Sequence, residues 1–228
     1  MSVLDIGCGP GSITAGLARA VAPGRCVGLD PDEDSLAVAR AAHSQSNLEF
    51  HHGVAEAILF DDGSFDAAFA HCVFQHLDDP VPALTEAFRV LRPGGVIGLG
   101  DADFGGSIIG PEMPALEQAL WLMASLRRGR GDPFVGRKLG TLLAAAGFVD
   151  VNPGVRADVD SGSESTARTG DWQSRYFAAP ELQAYAVACN LATAAELDAI
   201  VEAWHTWGTT AGAMWARFWC YATARKPG

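Results

Sequence analysis

The feature that most constrains the fold of this chain is a glycine-rich loop close to its first residue. The loop, Asp5-Ile6-Gly7-Cys8-Gly9-Pro10-Gly11, follows a short apolar run and precedes a segment, residues 13–21, in which apolar residues recur at helical spacing. Glycines at alternate positions let the backbone turn sharply and let a ligand approach where no Cβ stands. The helix that follows directs free N–H groups and the positive end of its dipole at the loop. The sequence therefore predicts a strand–loop–helix unit that binds a carboxylate or a phosphate.

An acidic residue at the end of the second predicted strand extends this site. Asp30 ends the apolar run 26–30, 19 residues after Gly11, where a carboxylate can accept both hydroxyl hydrogens of a ribose. The loop and Asp30 together predict a cofactor that contains a nucleoside. A dinucleotide loop, G-x-G-x-x-G/A, would need glycine or alanine where this chain has Ser12. The observed spacing, G-x-G-x-G with Asp5 two residues ahead, favours S-adenosylmethionine over NAD.

Strand and helix patterns alternate along the first hundred residues, which predicts a parallel sheet with helices on both of its faces. After Asp101 the alternation loosens, and helical patterns dominate. The segment 156–170 is rich in Ser, Gly, Asp and Thr, so we expect a flexible surface excursion there. The remaining predictions are strands at 48–52, 65–71, 96–99, 148–151 and 214–224, and helices at 32–42, 81–91, 111–126, 137–146, 180–191 and 197–207.

Charge and composition narrow the possible partners. A formal net charge of −11 over 228 residues predicts repulsion from nucleic acid, because phosphate binding depends on clustered Lys and Arg. The one local basic run, residues 127–130, is interpreted as a solvated loop. No apolar run reaches the roughly 18–20 residues that span a bilayer, so no membrane association is expected.

The cysteines and histidines point to neither a disulfide framework nor a metal site. The five cysteines contain no C-x-x-C pair, which is typical of a reducing, cytoplasmic location. His51 and His52 lie near Glu49, but adjacent residues of a strand point to opposite faces, so no metal is expected.

Taken in order, several segments resemble the class I methyltransferases, and among them the small-molecule group with the ubiquinone/menaquinone-type and sterol-type enzymes. The loop resembles the family's first motif, Gly28-Leu29-Asp30 the second and Gly53-Val54-Ala55-Glu56-Ala57 the third. Residues 60–66 (FDDGSFD), 76–80 (HLDDP) and 89–95 (RVLRPGG) continue the resemblance to about Asp101.

The resemblance implies an S-adenosylmethionine-dependent methyltransferase that acts on a small-molecule acceptor, with no metal. The implied fold is α/β and Rossmann-like, a seven-stranded, mostly parallel sheet whose last strand is antiparallel. Loop residues Gly7, Cys8, Gly9 and Gly11 would hold the methionine part, with Asp5 near its ammonium group. The ribose would contact Asp30, the adenine would contact Pro31, Ala55 and Glu56, and the sulfonium and acceptor would be bordered by His71 and Cys72. His71 is the candidate general base, and His76, which more often has a structural role in this family pattern, is the alternative.

Two departures from the family pattern leave alternatives open. Val54 stands where the family usually has an acid, so adenine recognition would depend on backbone and apolar contacts. Relatives also carry a helical lid before the first strand, which here begins near Val3. We expect one domain over residues 1–228, with insertions at 102–134 and 157–213 as an acceptor-side cap. The alternatives are a truncated methyltransferase, a non-catalytic S-adenosylmethionine-binding protein and, less favoured, a nicotinamide-dependent oxidoreductase.

Overall fold

The computed structural model describes residues 1–127 and 131–228, so Arg128, Gly129 and Arg130 of the basic run lie outside the described residues. The strands are β1 (Ser2–Ile6), β2 (Arg25–Asp30), β3 (Leu48–His52), β4 (Phe65–His71), β5 (Leu91–Gly110), β6 (Val149–Ser161) and β7 (Met214–Arg225). The helices are α1 (Ser12–Val21), α2 (Glu33–Ala42), α3 (Val81–Val90), α4 (Pro114–Ser125), α5 (Leu139–Ala145), α6 (Ser163–Ala178), α7 (Pro180–Ala188) and α8 (Ala194–Thr209).

The strands form one seven-stranded sheet in the order β3-β2-β1-β4-β5-β7-β6. β1 pairs in parallel with both β2 and β4, and the pairs β2–β3 and β4–β5 are parallel as well. β7 is the antiparallel strand. Its C-terminal end exchanges backbone hydrogen bonds with the start of β5, through Gly94, Gly95 and Lys226. The predicted Rossmann-like fold with an antiparallel last strand is thereby confirmed.

The first two strand–helix units place the candidate site at the carboxyl ends of β1 and β2. α1 begins directly after Gly11, which adopts the left-handed conformation at φ +80°. α2 is capped by Asp32, whose carboxylate accepts hydrogen bonds from the backbone N–H groups of Asp34 and Ser35. Because β1 and β2 are parallel neighbours, the glycine loop and Asp30 both lie at the carboxyl ends of their strands.

The chain divides into two compact units. The first contains residues 1–102, 130–155 and 220–228, and its core packs the sheet against helices through side chains such as Leu4, Phe65 and Leu84. The second contains residues 103–129 and 156–219, and its core is centred on Trp204, Trp207 and Trp215. The expectation that insertions 102–134 and 157–213 form an acceptor-side cap stays a prediction.

The strand β5 runs well past its predicted end at Leu99. From Gly95 to Asp103 every second residue is buried, so the two-residue period of a strand continues without interruption. Asp101 and Asp103 occupy two of those buried positions. The prediction stopped short because it relied on apolar residues alone.

The prediction of a flexible excursion at 156–170 is wrong. β6 continues to Ser161 and α6 begins at Ser163. The buried face of α6 consists largely of small or polar residues, among them Thr166, Gly170 and Ser174. Thr166 Oγ1 donates to the carbonyl of Gly208 in α8 at 3.3 Å, which only a close approach of two helices allows. Small residues at helical spacing made a packed helix resemble a loop.

Candidate functional site

The glycine loop is tied to the neighbouring strand before any ligand is considered. The backbone N–H groups of Gly7 and Cys8 both donate to the carbonyl of Leu29, at 2.7 and 3.0 Å. Gly7, Gly9 and Gly11 have φ of +71°, +50° and +80°, a region that side chains with a Cβ seldom adopt. The loop therefore needs glycine at these positions for its backbone shape alone.

The three glycines differ in what surrounds them. A Cβ on Gly7 would collide with Val73, and one on Gly11 would lie 2.6 Å from Cζ of Phe50. Among the described residues, no heavy atom lies within 4 Å of a Cβ placed on Gly9. Gly7 and Gly11 are thus required by packing, whereas Gly9 borders open space that a ligand can fill.

Asp30 joins the loop to the second helix. Its carboxylate accepts hydrogen bonds from the backbone N–H of Gly9 at 2.7 Å and from that of Asp32 at 2.9 Å, and its side chain is buried. The two oxygens of an ionised carboxylate have about four acceptor positions in total. Asp30 therefore retains the capacity to accept two further hydrogen bonds, such as those of ribose hydroxyls.

Asp5 lies beneath the loop as a second buried acid. The hydroxyl of Thr14 donates to its carboxylate at 2.6 Å. Burial raises the pKa of Asp5 to about 6, the charge of Asp30 adds to this, and the bond from Thr14 opposes it. A cation bound near Asp5 would favour the ionised form.

A cavity of about 390 Å³ opens at the carboxyl ends of β1, β2 and β4. Of the predicted site residues, six line it: Gly7, Asp30, Pro31, Ala55, Glu56 and Cys72. The other predicted residues, Asp5, Cys8, Gly9, Gly11 and His71, are not among the lining residues. Cys8 is buried, and a Cβ on Gly28 would lie 2.8 Å from its Sγ, so this side chain packs against β2.

His71 and Cys72 follow each other at the end of β4 but differ in position. The ring of His71 stacks on Phe69 with centroids 6.5 Å apart, and its Nε2 lies 4.0 Å from Sγ of Cys72. Cys72 adopts a left-handed conformation, φ +59°, and lines the cavity. Burial raises the pKa of the Cys72 thiol to about 11, so this group is not an activated nucleophile. The role of His71 as a base stays a prediction.

Several residues that line the cavity were not among the site residues predicted from the sequence. Val73, His76 and Leu77 also line the cavity, along with Gly53 and Val54. Residues 74–76 form a single 3₁₀ turn after β4, which carries His76 to the cavity. The sequence signal was the HLDDP segment, which contributed to the resemblance but was given no contact with the cofactor.

Residues 1–127 and 131–228 contain neither a candidate metal centre nor a membrane-spanning helix. In that part of the chain no group of three His, Cys, Asp or Glu side chains is arranged to hold a metal ion. The same residues include no helix with the length and apolar character needed to cross a membrane.

The arrangement fits S-adenosylmethionine. Open space borders Gly9, and Asp30 keeps free acceptor capacity, which suits a ligand that contains a ribose. This sheet topology is the one that the class I, S-adenosylmethionine-dependent methyltransferases share. Residues 4–99 match the methyltransferase domain family.

Individual proteins agree with this assignment. An uncharacterised methyltransferase from Schizosaccharomyces pombe is 30% identical over 184 residues, covering 77% of this chain and 66% of that protein. A demethylmenaquinone methyltransferase from Lactococcus lactis is 39% identical over 99 residues, covering 42% of this chain and 39% of that protein. The chain thus spans just under two thirds of the first relative and about two fifths of the second. A candidate methyltransferase from Bacillus halodurans shares the fold, with a TM-score of 0.65, 22% identity, and coverage of 100% of this chain and 93% of that one.

Proposed function

We propose that this protein transfers the methyl group of S-adenosylmethionine to a small-molecule acceptor. The observation that carries the proposal is the cavity that brings Gly7, Asp30 and Ala55 together at the carboxyl edge of the sheet. Ligands of open α/β sheets bind at this edge. The family match over residues 4–99 and the glycine loop support the same cofactor.

The chain's own residues would bind and orient the donor. Gly7, Gly9 and Gly11 provide a backbone surface for the methionine part, Asp5 favours its ammonium group, and Asp30 accepts hydrogen bonds from the ribose. Pro31, Ala55 and Glu56 border the adenine, and Cys72 borders the reacting end of the cavity. When bound, S-adenosylmethionine supplies a methyl group on a positively charged sulfur, so the transfer needs positioning more than acid–base assistance.

The acceptor is proposed at the level of chemical class. Because relatives are named a demethylmenaquinone methyltransferase, a ubiquinone biosynthesis O-methyltransferase and a fatty-acid O-methyltransferase, we propose an apolar small molecule as the acceptor of this protein. The net charge of −11 supports a small molecule over nucleic acid, and cysteines scattered without a C-x-x-C pair support a cytoplasmic location. His71 and His76 are the two candidate bases: the first was predicted from the sequence, and the second lines the cavity.

The cofactor is tested by calorimetry with S-adenosylmethionine, S-adenosylhomocysteine and NAD on separate samples. We expect the first two to bind and NAD not to bind. Binding of NAD without binding of the other two would overturn the proposal and favour an oxidoreductase.

The site is tested with Asp30→Ala. Removing charge-assisted hydrogen bonds of about 1.5–3 kcal/mol should weaken S-adenosylmethionine binding roughly 10- to 150-fold. Asp32→Ala is the matched control, because this exposed carboxylate caps α2 and does not line the cavity. The control should lose stability, because α2 loses its cap, and keep its affinity. Equal affinities in folded Asp30→Ala and wild-type protein would mean that the ribose is held elsewhere.

Methyl transfer itself is tested by detecting S-adenosylhomocysteine release in the presence of a hydroquinone, a catechol, a fatty acid and a primary amine. Release above the acceptor-free rate with any of them supports the proposal, and the productive compound identifies the acceptor atom. Tight cofactor binding with no release across this panel would favour a non-catalytic binding protein. With a productive acceptor, His71→Ala and His76→Ala should differ, the true base losing about 10²-fold or more in turnover.

A further inference from the structure

One buried acid next to the cofactor cavity has no part in the proposed function. Asp101 lies in β5, and its side chain is fully buried. The backbone N–H of Phe74 donates to its Oδ2 at 3.1 Å, and that of Gln75 donates to its Oδ1 at 3.4 Å. Burial raises the pKa of Asp101 to about 7, and hydrogen bonds from the backbone of Val73, Phe74 and Gln75 act against that rise. Consecutive N–H groups therefore converge on this one carboxylate, as they do around a bound anion.

The segment that Asp101 holds is the cavity wall that follows β4. Cys72, Val73, His76 and Leu77 line the cavity, and the 3₁₀ turn of residues 74–76 lies in their midst. The wall starts where the backbone N–H of Cys72 donates to the carbonyl of Gly100 at 2.8 Å. After Cys72 the chain leaves the sheet, and the backbone N–H groups of Phe74 and Gln75, which donate to Asp101, follow at once.

This wall is under local strain and needs an anchor. Cys72 has φ +59°, a left-handed conformation that a residue with a Cβ keeps only where its surroundings enforce it. A Cβ on Gly7 would collide with Val73, so a shift of the wall by a few tenths of an ångström would bring it against the glycine loop or open a gap there. A fixed position of residues 73–76 is thus a condition for the shape of the cavity.

We propose that Asp101 is a positioning residue, which holds the wall formed by residues 72–77 in the shape that the cofactor requires. It acts through the backbone of Phe74 and Gln75 and does not line the cavity itself. The identity of the ligand rests on the proposed function, whereas the claim that Asp101 keeps residues 72–77 in one conformation does not. Loss of the carboxylate would leave two amides beside a buried position without their acceptor, and the wall would move to satisfy them.

The experiment compares Asp101→Ala and Asp101→Asn with a matched control, Asp66→Ala. Asp66 lies in β4, the strand next to β5, and its carboxylate accepts a hydrogen bond from the backbone N–H of Ser2. It is thus another carboxylate–backbone anchor, but it lies at the amino end of β4, whereas the cavity lies at the carboxyl end. Each variant is followed by amide hydrogen exchange with mass spectrometry, by calorimetry with S-adenosylhomocysteine, and by urea denaturation.

In Asp101→Ala we expect amides 73–77 to exchange at least about tenfold faster, and the affinity for S-adenosylhomocysteine to fall at least about tenfold in folded protein. Asp101→Asn keeps one acceptor oxygen, so both values should lie between those of the alanine variant and the wild type. It also keeps the test open if the alanine variant does not fold. Asp66→Ala should lose stability while amides 73–77 and the affinity stay as in the wild type.

Unchanged exchange of amides 73–77 in folded Asp101 variants would overturn the proposal. An unchanged affinity for S-adenosylhomocysteine in these variants would also overturn it, because the position of the wall would then not depend on Asp101 or would not matter to the ligand. If wild-type protein fails to bind S-adenosylhomocysteine, the proposed function fails, and the exchange of amides 73–77 still decides whether Asp101 holds the wall.

Discussion

We expect the buried carboxylate of Asp5 to make cofactor binding depend on pH. Its pKa of about 6 means that the folded, unliganded protein keeps this proton up to mildly acidic pH. A ligand ammonium favours the ionised form, so below pH 6 the ligand must also displace a proton. We expect the affinity for S-adenosylmethionine to rise as the pH increases from about 5 to 6.5, by up to tenfold per unit, and to level off above that range. Calorimetry across this range measures it.

The control for this effect is Asp5→Asn, which cannot titrate. Its affinity should be lower than that of the wild type and nearly constant from pH 5 to 6.5. The wild type should also release protons on binding at pH 5.5, visible as a dependence of the heat on the buffer's ionisation enthalpy. A flat wild-type affinity over this range would place the ammonium away from Asp5.

A substitution at Gly9 should abolish cofactor binding without preventing folding. Gly9→Val places a side chain in open space, so binding of S-adenosylmethionine should be lost while the protein still folds. Gly94→Val is the matched control, since Gly94 also has a positive φ, +77°, and also has no described heavy atom within 4 Å of its Cβ position. Both variants bear backbone strain of about 1–3 kcal/mol. Gly94 lies near the amino end of β5, whereas the glycine loop follows the carboxyl end of the parallel strand β1, so the control should keep its affinity. Retained binding in Gly9→Val would contradict the assignment of the loop.

The elements α6 and α8 pack so closely that the second unit depends on a glycine. A Cβ on Gly170 would lie 2.6 Å from the carbonyl oxygen of Trp204 and 2.8 Å from Cα of Gly208. We expect Gly170→Ala to reduce the free energy of unfolding by about 1–3 kcal/mol, because neither contact atom can move alone.

Gly16, inside α1, is the matched control for this change. A Cβ there meets only a terminal nitrogen of Arg19, at 3.9 Å, among the described residues. Gly16→Ala should therefore raise the free energy of unfolding by about 0.5–1 kcal/mol. Urea denaturation measures both variants, and a gain in stability for Gly170→Ala would show that the two helices can separate at little cost.

At the scale of strands and helices, part of the fold could be predicted from the sequence. The strands β1 to β4 were predicted within a residue or two, because apolar runs and the turn residues that follow them indicate the same boundaries. The prediction failed where burial does not coincide with large apolar side chains. Asp101 and Asp103 continue β5 at buried positions, and α6 presents Thr166 and Gly170 to its neighbour.

The candidate site, too, could be predicted only in part from the sequence. The spacing of the loop and Asp30 is local and regular, so it identified the cofactor class. The wall of residues 73–77 depends on a bond between Asp101 and Phe74, 27 positions apart in the sequence, and no local pattern encodes such a contact.

At the scale of the whole molecule, the net charge of −11 predicts no binding to a DNA duplex at about 150 mM salt. Few cations are available to release counterions, and the excess of carboxylates repels the phosphates. Fluorescence anisotropy with a labelled duplex of about 20 base pairs tests this, with a basic DNA-binding domain as the positive control. Saturable binding tighter than about 10 µM would reopen nucleic acid as an acceptor.

The hydrogen bonds from Gly9 and Asp32 to Asp30 have a kinetic consequence. They fix the loop and the start of α2 in one arrangement before the ligand arrives. A preformed site does not lose free energy in ordering its loop on binding, and association does not wait for a slow rearrangement. Rapid mixing of the protein with a fluorescent analogue of S-adenosylhomocysteine, followed by anisotropy, should then show a single phase whose observed rate grows linearly with ligand concentration.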